Sequence, residues 1–281
     1  PRQPLHGRLE PEFLQRIDFY PGNFPVKYGN ALAGVIEVET ASDMPEVRHG
    51  SADVNLFFAG GFFEAPLSDK VSLKLGLRRS YYDLVFPLVL KAAGGSGTSV
   101  VPVYYDYQAR LDVALRGDDR LHILAFGSDD QLDLATTDDQ TKNQIDIGTQ
   151  TSFHRILARH LWHLSPNVTS TMAPYVGLDV QSLSYDEGSL DTTEFLAGLR
   201  EDITWKVGPR LEIRPGINAQ VQVQRFSSFL PPRQNYVVPG EDVLAQTEAG
   251  PPSSVDTTGN KVEVSRTLVS GNVAAYIDAV Y

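Results

Sequence analysis

Residues 211–225 read LEIRPGINAQVQVQR, and apolar and polar side chains alternate along almost the whole stretch. Because successive side chains of a β-strand point to opposite faces, the stretch predicts a strand with one apolar and one polar face. It is also longer than the ~5–6 residues usual in soluble sheets. Such a strand suits either a soluble barrel with an apolar interior or a transmembrane barrel with an apolar exterior.

Composition excludes several classes of protein. The 281 residues include 24 Lys and Arg and 35 Asp and Glu, giving a net charge of −11, which argues against general nucleic-acid binding because phosphate contacts need basic surface. The absence of cysteine excludes disulfides, thiolate metal sites and cysteine nucleophiles. The mean hydropathy is −0.19, and no apolar run approaches the ~18 residues of a membrane helix.

The same alternation recurs in long segments from about residue 51 onward and predicts nine strands. They are residues 51–65, a strand from 71, and 101–115, 121–131, 145–164, 168–185, 194–207, 211–225 and 269–281. We expect a bulge within 145–164 that shifts its alternation. Two shorter strands, residues 17–20 and 35–40, come first and are separated by a loop rich in Gly and Pro.

The predicted connections alternate between short and long. Short turns are expected at 66–70, 116–120, 165–167 and 208–209, and long loops at 86–99, 134–144 and 231–260, with the short 186–189 as an exception. Transmembrane barrels combine short periplasmic turns with longer external loops. Trp162 and Trp205 each precede a short turn, as in an aromatic girdle. We therefore predict an all-β fold, a transmembrane antiparallel up-and-down β-barrel of which about nine strands are present.

Residues 16–40 read RIDFYPGNFPVKYGNALAGVIEVET. This stretch resembles the end of the plug domain of TonB-dependent outer-membrane receptors, which has a strand, a Gly/Pro loop, a Tyr-Gly pair, a small-residue turn and a final strand closing in Thr. The plug-motif residues, expected to be structural, are Gly22, Pro25, Tyr28, Gly29 and Gly34. We expect the three glycines to permit tight or positive-φ turns. The run from Arg78 to Tyr81 is also similar to these receptors.

The resemblance implies that residues 1–45 are the C-terminal part of a plug domain and residues 46–281 the N-terminal part of a barrel of about 22 strands. We therefore expect a fragment, without a signal peptide or TonB box. The implied function is that of a non-enzyme in the outer membrane of a Gram-negative bacterium, which takes up a scarce nutrient such as a ferric siderophore. Its partners would be outer-membrane lipid, TonB through the missing N-terminal region, and a small-molecule ligand such as a metal chelate.

Two alternatives stay open beside TonB-dependent uptake. One is a plug-containing outer-membrane barrel with a structural or surface-interaction role, and the other is a passive porin-like channel. No cofactor, resident metal or nucleic-acid partner is expected, and no phosphate-binding, zinc-protease or nucleophile-elbow motif is present.

A polar inner wall follows from the alternation. Its expected lumen-facing residues are Arg78, Arg110, Asp112, Arg200, Asp202, Arg214, Gln220 and Gln222. By the resemblance, most of them would hydrogen-bond the plug, and the ligand-binding residues stay unknown. We expect Ile213, Ile217, Val221 and Val223 to face lipid.

Histidines and aspartates are the side chains of this sequence that could bind a metal. His154 and His160 share a face, but six residues along a strand separate them by roughly 20 Å, too far for one metal. We expect them in a wet lumen or at the membrane interface. The aspartates at 129, 130, 133, 138 and 139 lack calcium-loop spacing and predict a solvated acidic loop.

Overall fold

A computed structural model describes residues 13–29, 33–40, 44–92, 98–137, 144–185, 188–230, 254–256 and 262–281. The described chain is all-β apart from one helix and one 3₁₀ turn. The first two strands form a hairpin, and the others form one antiparallel sheet. No helix in these ranges is long and apolar enough to cross a membrane.

The hairpin consists of β1 (Leu14–Tyr20) and β2 (Val35–Thr40), with the 3₁₀ turn Val26–Tyr28 between them. Both strands confirm the predicted positions. The strands of the sheet are β3 (His49–Val54), β4 (Phe58–Ser68), β5 (Val71–Ser80), β6 (Thr98–Ala114), β7 (Arg120–Thr137), β8 (Gln144–Ser165), β9 (Val168–Tyr185), β10 (Gly188–Lys206), β11 (Glu212–Leu230), β12 (Ser254–Asp256) and β13 (Val262–Val280). Helix α1 (Tyr82–Ala92) follows β5.

Each strand of the sheet pairs with its neighbour in the chain, except that β11 pairs with β13 and the short β12 lies outside β13. Among the described residues, β3 and β12 are the two edges and do not pair with each other, so the sheet is open. The alternation therefore predicted an antiparallel up-and-down sheet correctly. The described strands do not close into a barrel.

The prediction of a single strand at 51–65 is wrong. A turn centred on Leu56 and Phe57 divides it into β3 and β4, and Asn55 holds this turn by accepting hydrogen bonds from the backbone N–H groups of Phe57 and Phe58 at 2.9 and 3.1 Å. Because Leu56 and Phe58 continue the apolar alternation through the turn, the pattern conceals it. With this division and β12, the sheet has eleven strands rather than nine.

Three further expectations need correction or fall outside the described ranges. Helix α1 occupies the first part of the loop predicted at 86–99. The pairing of β8 with β9 shifts its register between His163 and Ser165, so the expected bulge is present but lies at the end of the strand rather than in its interior. Most of the predicted loop at 231–260 lies outside the described residues, as do Asp138 and Asp139.

The two faces of the sheet differ in composition and burial. We call the face that carries Arg110 the polar face and the opposite one, which carries Val221, the apolar face. Ten polar or charged residues are buried in the described part. Eight lie on the polar face: Ser72, Lys74, Ser80, Asp106, Gln108, Arg110, Asp112 and Ser128. Over the whole described part of the chain, the buried apolar side chains are Phe13, Phe62, Ala65 and Leu196, whereas large apolar residues are exposed along the apolar face. The protein thus covers its polar wall and exposes its apolar wall.

The two ends of the sheet also differ. The connections after β4, β6, β8 and β10 are short and lie at one end, which we call the short-turn end. The opposite end carries α1 and the long connection between β11 and β13. Trp162 and Trp205 both lie on the apolar face near the short-turn end, with 50% and 47% of their surface exposed. This placement confirms that the two indoles share one end and one face.

Candidate functional site

Cross-strand pairing places all eight predicted lumen residues on the polar face. Arg110, for example, belongs to a row of paired residues that crosses the sheet through Tyr175 and Gly198 to Gln220. The eight residues are Arg78, Arg110, Asp112, Arg200, Asp202, Arg214, Gln220 and Gln222. The structure brings them together as one wall, and it adds partners that the sequence pattern did not single out.

The first cluster on this wall is centred on Arg110 in β6. Its Nε donates to Asp112 Oδ1 at 2.8 Å, and the two side chains are only 4% and 3% exposed. His122 on β7 lies against both of them through Nδ1. Buried charges are tolerated only when they are paired and hydrogen-bonded, so each member of this cluster depends on the others.

The Arg110 cluster also holds the hairpin. Arg110 donates a hydrogen bond through Nη1 to the hydroxyl oxygen of Thr40, the last residue of β2. Arg110 and Thr40 are 70 positions apart in the chain, so this contact is a tertiary one. The end of the hairpin is thereby attached to the middle strands of the sheet on the polar face.

A second cluster lies on the far strands β10 and β13. Arg200 donates to both carboxylate oxygens of Asp202, at 2.7 and 3.3 Å, and the Tyr276 hydroxyl donates to Asp202. The guanidinium of Arg200 also lies 5.7 Å from the ring centroid of Tyr28 in the hairpin and 5.6 Å from that of Tyr276. A guanidinium within about 6 Å of aromatic rings is attracted to their faces, so Arg200 joins the hairpin loop to this wall.

Within the hairpin, Lys27 forms an ion pair with Glu37 at 3.0 Å. Burial by itself raises the pKa of Glu37, but hydrogen bonds from Lys27 and Tyr28 and the Lys27 charge outweigh it, so its pKa lies below the ordinary value. Burial likewise lowers the pKa of Lys27, and its bonds to Tyr28 and Glu37 reverse that effect and raise it. Both groups are therefore charged at neutral pH.

A third contact joins the start of the hairpin to the other side of the sheet. Phe13, which is 1% exposed, meets Phe62 of β4 edge-to-face with ring centroids 5.6 Å apart. The hairpin thus touches the polar face at β4 through Phe13, at β6 through Thr40, and at β10 through Tyr28. It spans the wall rather than resting at one edge.

The plug-motif residues have different local roles. A Cβ at Gly34 would lie 2.9 Å from the Tyr20 carbonyl oxygen, so the close approach of the two strands requires glycine there. Pro25 precedes the 3₁₀ turn with φ −52°, and Gly29 ends that turn with φ −55°. In the described part, positive φ occurs at Asn23 and Gly117, so of the expected tight or positive-φ turns the positive-φ alternative is wrong at the three glycines, whereas Gly34 confirms the tight approach.

The polar face contains aromatic residues that the sequence pattern missed. Tyr175 lies over Gly198 and donates a hydrogen bond to Gln220 at 3.0 Å, and Tyr276 lies over Gly216. A Cβ at either glycine would come within 2.4 Å of the tyrosine ring. The sequence contains a signal for these contacts, because Tyr175 and Tyr276 stand at positions of their strands that face the polar side. Each is paired with a glycine on the neighbouring strand.

The end of the polar face beside α1 is rich in aromatic residues. Arg78 pairs with Asp106 at 2.6 Å and lies 5.8 and 5.7 Å from the ring centroids of Phe58 and Tyr104. Tyr82, the first residue of α1, contacts Tyr104 with centroids 6.4 Å apart. This end presents the Arg78–Asp106 ion pair among aromatic rings.

Within the described ranges, no group of three or more His, Cys, Asp or Glu residues could hold a metal ion. His154 and His160 lie on the apolar face, opposite the predicted lumen-facing residues, so of the two expected locations only the membrane interface stays a prediction. His154 Nδ1 and the Tyr107 hydroxyl form a hydrogen bond of 3.0 Å across Gly127. A Cβ at Gly127 would lie 2.5 Å from the Phe153 carbonyl oxygen.

The arrangement therefore consists of a polar wall, a hairpin attached to it at three places and an exposed apolar wall. It holds paired charges and hydrogen bonds between two chain segments. No protein-family model matches the chain, and no curated protein matches its sequence significantly.

Proposed function

We propose that the chain is part of a plugged transmembrane β-barrel in the outer membrane of a Gram-negative bacterium. It takes up a scarce nutrient such as a ferric siderophore and uses energy supplied through TonB. In this proposal the polar face lines the lumen, the hairpin is the end of the plug, and the apolar face meets lipid.

The observation that carries the proposal is the reversed burial of the two faces. A soluble protein buries its apolar side chains, because water favours their removal from the surface. Here Asp106, Arg110 and Asp112 are buried, whereas Leu77, Phe195 and Val273 are exposed. A bilayer is the environment in which an apolar exterior and a polar interior are both favourable.

The height of the apolar region supports the same proposal. On β10, alternate residues from Phe195 to Trp205 face the apolar side, and the next row beyond Phe195 contains Asp129, Thr193 and Arg225. Ten residue steps of about 3.3 Å span about 33 Å along the strand, or about 25 Å along the membrane normal at a tilt of about 40°. The hydrocarbon-facing band of an outer-membrane barrel has this height. We call the rows from Phe195 to Trp205 the apolar belt.

The position of the hairpin supports a plug. It lies against the covered face and is attached by hydrogen bonds and aromatic contacts that a conformational change can break one at a time. The edge strand β3 and the part of β13 that the three-residue β12 does not pair need further strands in a bilayer, because unpaired backbone groups are costly in hydrocarbon. The proposal therefore includes further strands that complete the barrel.

The test is uptake of a labelled ferric siderophore by cells that express the full-length protein, with and without functional TonB. We expect uptake to require both the gene and TonB. Uptake that is unchanged after removal of either contradicts the proposal. Ion conductance by the purified protein in a planar bilayer, without TonB, would favour a passive channel, and an inserted barrel with neither activity would favour a structural role.

A further inference from the structure

The apolar belt contains an unusual group of polar side chains. Among its described residues, three carry acidic, basic or imidazole groups: His154, His160 and Glu201. His154 is satisfied by Tyr107. His160 and Glu201 lie in one row of paired residues, with Met172 between them. Glu201 is the only carboxylate on the described part of the belt.

Neighbouring side chains extend this group. The indole of Trp162 stacks on His160, with centroids 5.8 Å apart and an interplanar angle of 21°. The Ser170 hydroxyl donates a hydrogen bond to Glu201 Oε1 and is itself buried. We call His160, Trp162, Ser170, Met172 and Glu201 the outer patch. It lies about 10 Å inside the Trp205 level of the belt, counting four residue steps along a tilted strand.

Glu201 and His160 do not satisfy each other within one molecule. They are two strands apart, and neighbouring strands are about 4.8 Å apart, so their backbones are separated by about 10 Å with Met172 between them. An ionisable group facing hydrocarbon is unfavourable unless it finds a polar partner. One serine hydroxyl occupies only part of the hydrogen-bonding capacity of a carboxylate. The patch therefore presents an acid and a base on opposite sides of Met172, each with capacity for a partner outside the molecule.

We propose that the outer patch is the contact between two copies of this chain in the membrane. This inference rests on the proposed transmembrane placement. A two-fold axis along the membrane normal, passing near Met172, places His160 of each copy on the side where the other copy presents Glu201. Both charge-complementary pairs then form at once, because a two-fold interface uses the same surface twice. An imidazole N–H donates to a carboxylate in either protonation state of the ring.

The 281 residues contain no cysteine, which makes cross-linking a suitable test. Met172→Cys in the full-length protein, with every cysteine outside these residues replaced by serine and in the native membrane, should give a disulfide-linked dimer with mild oxidant, because the two Met172 positions meet at the axis. Val176→Cys is the matched control, since it lies on the same strand and face and is 42% exposed against 40% for Met172. We expect no cross-link there. Equal cross-linking at both sites, or none at Met172→Cys in folded protein, would overturn the proposal.

A second measurement does not depend on cross-linking. Glu201→Gln should lower the dimer fraction of the detergent-extracted protein by roughly tenfold, since two symmetry-related pairs weaken together. The exchange of His160→Glu with Glu201→His should restore it. An unchanged dimer fraction, or a monomeric wild-type protein, would refute the contact. If Val176→Cys reacts with a membrane-impermeant maleimide, the apolar face lies in water, and it is the transmembrane proposal that fails.

Discussion

The polar and apolar faces of the same sheet use alternate residues of the same strands, yet they follow opposite rules. On the polar face, stability depends on specific partners, as in the Arg110–Asp112–His122 cluster and its bond to Thr40. On the apolar face, side chains such as Val221 and Val273 are exposed and need only a nonpolar environment. Adjacent residues of one strand therefore tolerate different substitutions, because one contacts protein and the next is expected to contact lipid.

The largest expected effect comes from placing a charge on the apolar face. Val221→Arg should destabilise the inserted protein by about 2 kcal/mol or more, because an arginine must then face hydrocarbon. Gln222→Arg is the control, since Gln222 is the next residue on the polar face and already bonds Glu194 at 3.1 Å. Urea unfolding in lipid vesicles measures both variants. Equal effects at the two positions would show that the faces do not meet different environments.

The next largest loss of stability is expected from replacing Arg110 on the polar face. Arg110→Met should destabilise the protein by about 3 kcal/mol, because it leaves Asp112 buried without its cation and removes the bond to Thr40. Arg214→Met is the matched control, because the Arg214–Glu212 pair is exposed and worth at most about 1 kcal/mol. The same unfolding measurement applies. A loss for Arg110→Met no greater than that for Arg214→Met would argue against a network that joins hairpin and sheet.

The smallest expected change in stability comes from Asp119, in the turn between β6 and β7. The backbone N–H of His163 bonds Asp119 at 2.8 Å and lowers the pKa of that carboxyl, and the His163 side chain adds to this effect. Because the folded pKa lies below the unfolded value, Asp119 stabilises the fold at neutral pH, and that contribution disappears as pH falls through the folded pKa, below about pH 4.

Unfolding of wild-type protein and Asp119→Asn from pH 7 to pH 3 tests this effect. The two curves should differ at neutral pH and converge in acid. Asp118→Asn, in the same turn, is the control for removing a charge there, since His163 bonds Asp119. A constant difference between Asp119→Asn and the wild type down to pH 3 would show that the His163 contact does not depend on the charge.

Sequence alternation predicted most strands of the sheet, because each residue's face depends only on its parity along a strand. It failed at residues 51–65, where Leu56 and Phe58 maintain the apolar pattern through a turn that Asn55 stabilises. It also missed Tyr276 and His122, whose roles depend on strands brought together in space. Glu201 breaks the alternation visibly, but its position in the same row as His160 follows only from the register of three strands.

The sequence by itself determined that the strands have one apolar and one polar face, since parity in a strand is local geometry. It also determined that the connections alternate in length. Which face is covered follows only from the tertiary structure, because burial depends on the chain segment that packs against a surface, here the hairpin of β1 and β2. Thr40 reaches Arg110 and Tyr28 reaches Arg200 across large separations in the chain. The alternation of residues 211–225 is therefore present in the sequence, and the position of the hairpin shows that it is the polar face of this sheet that is covered.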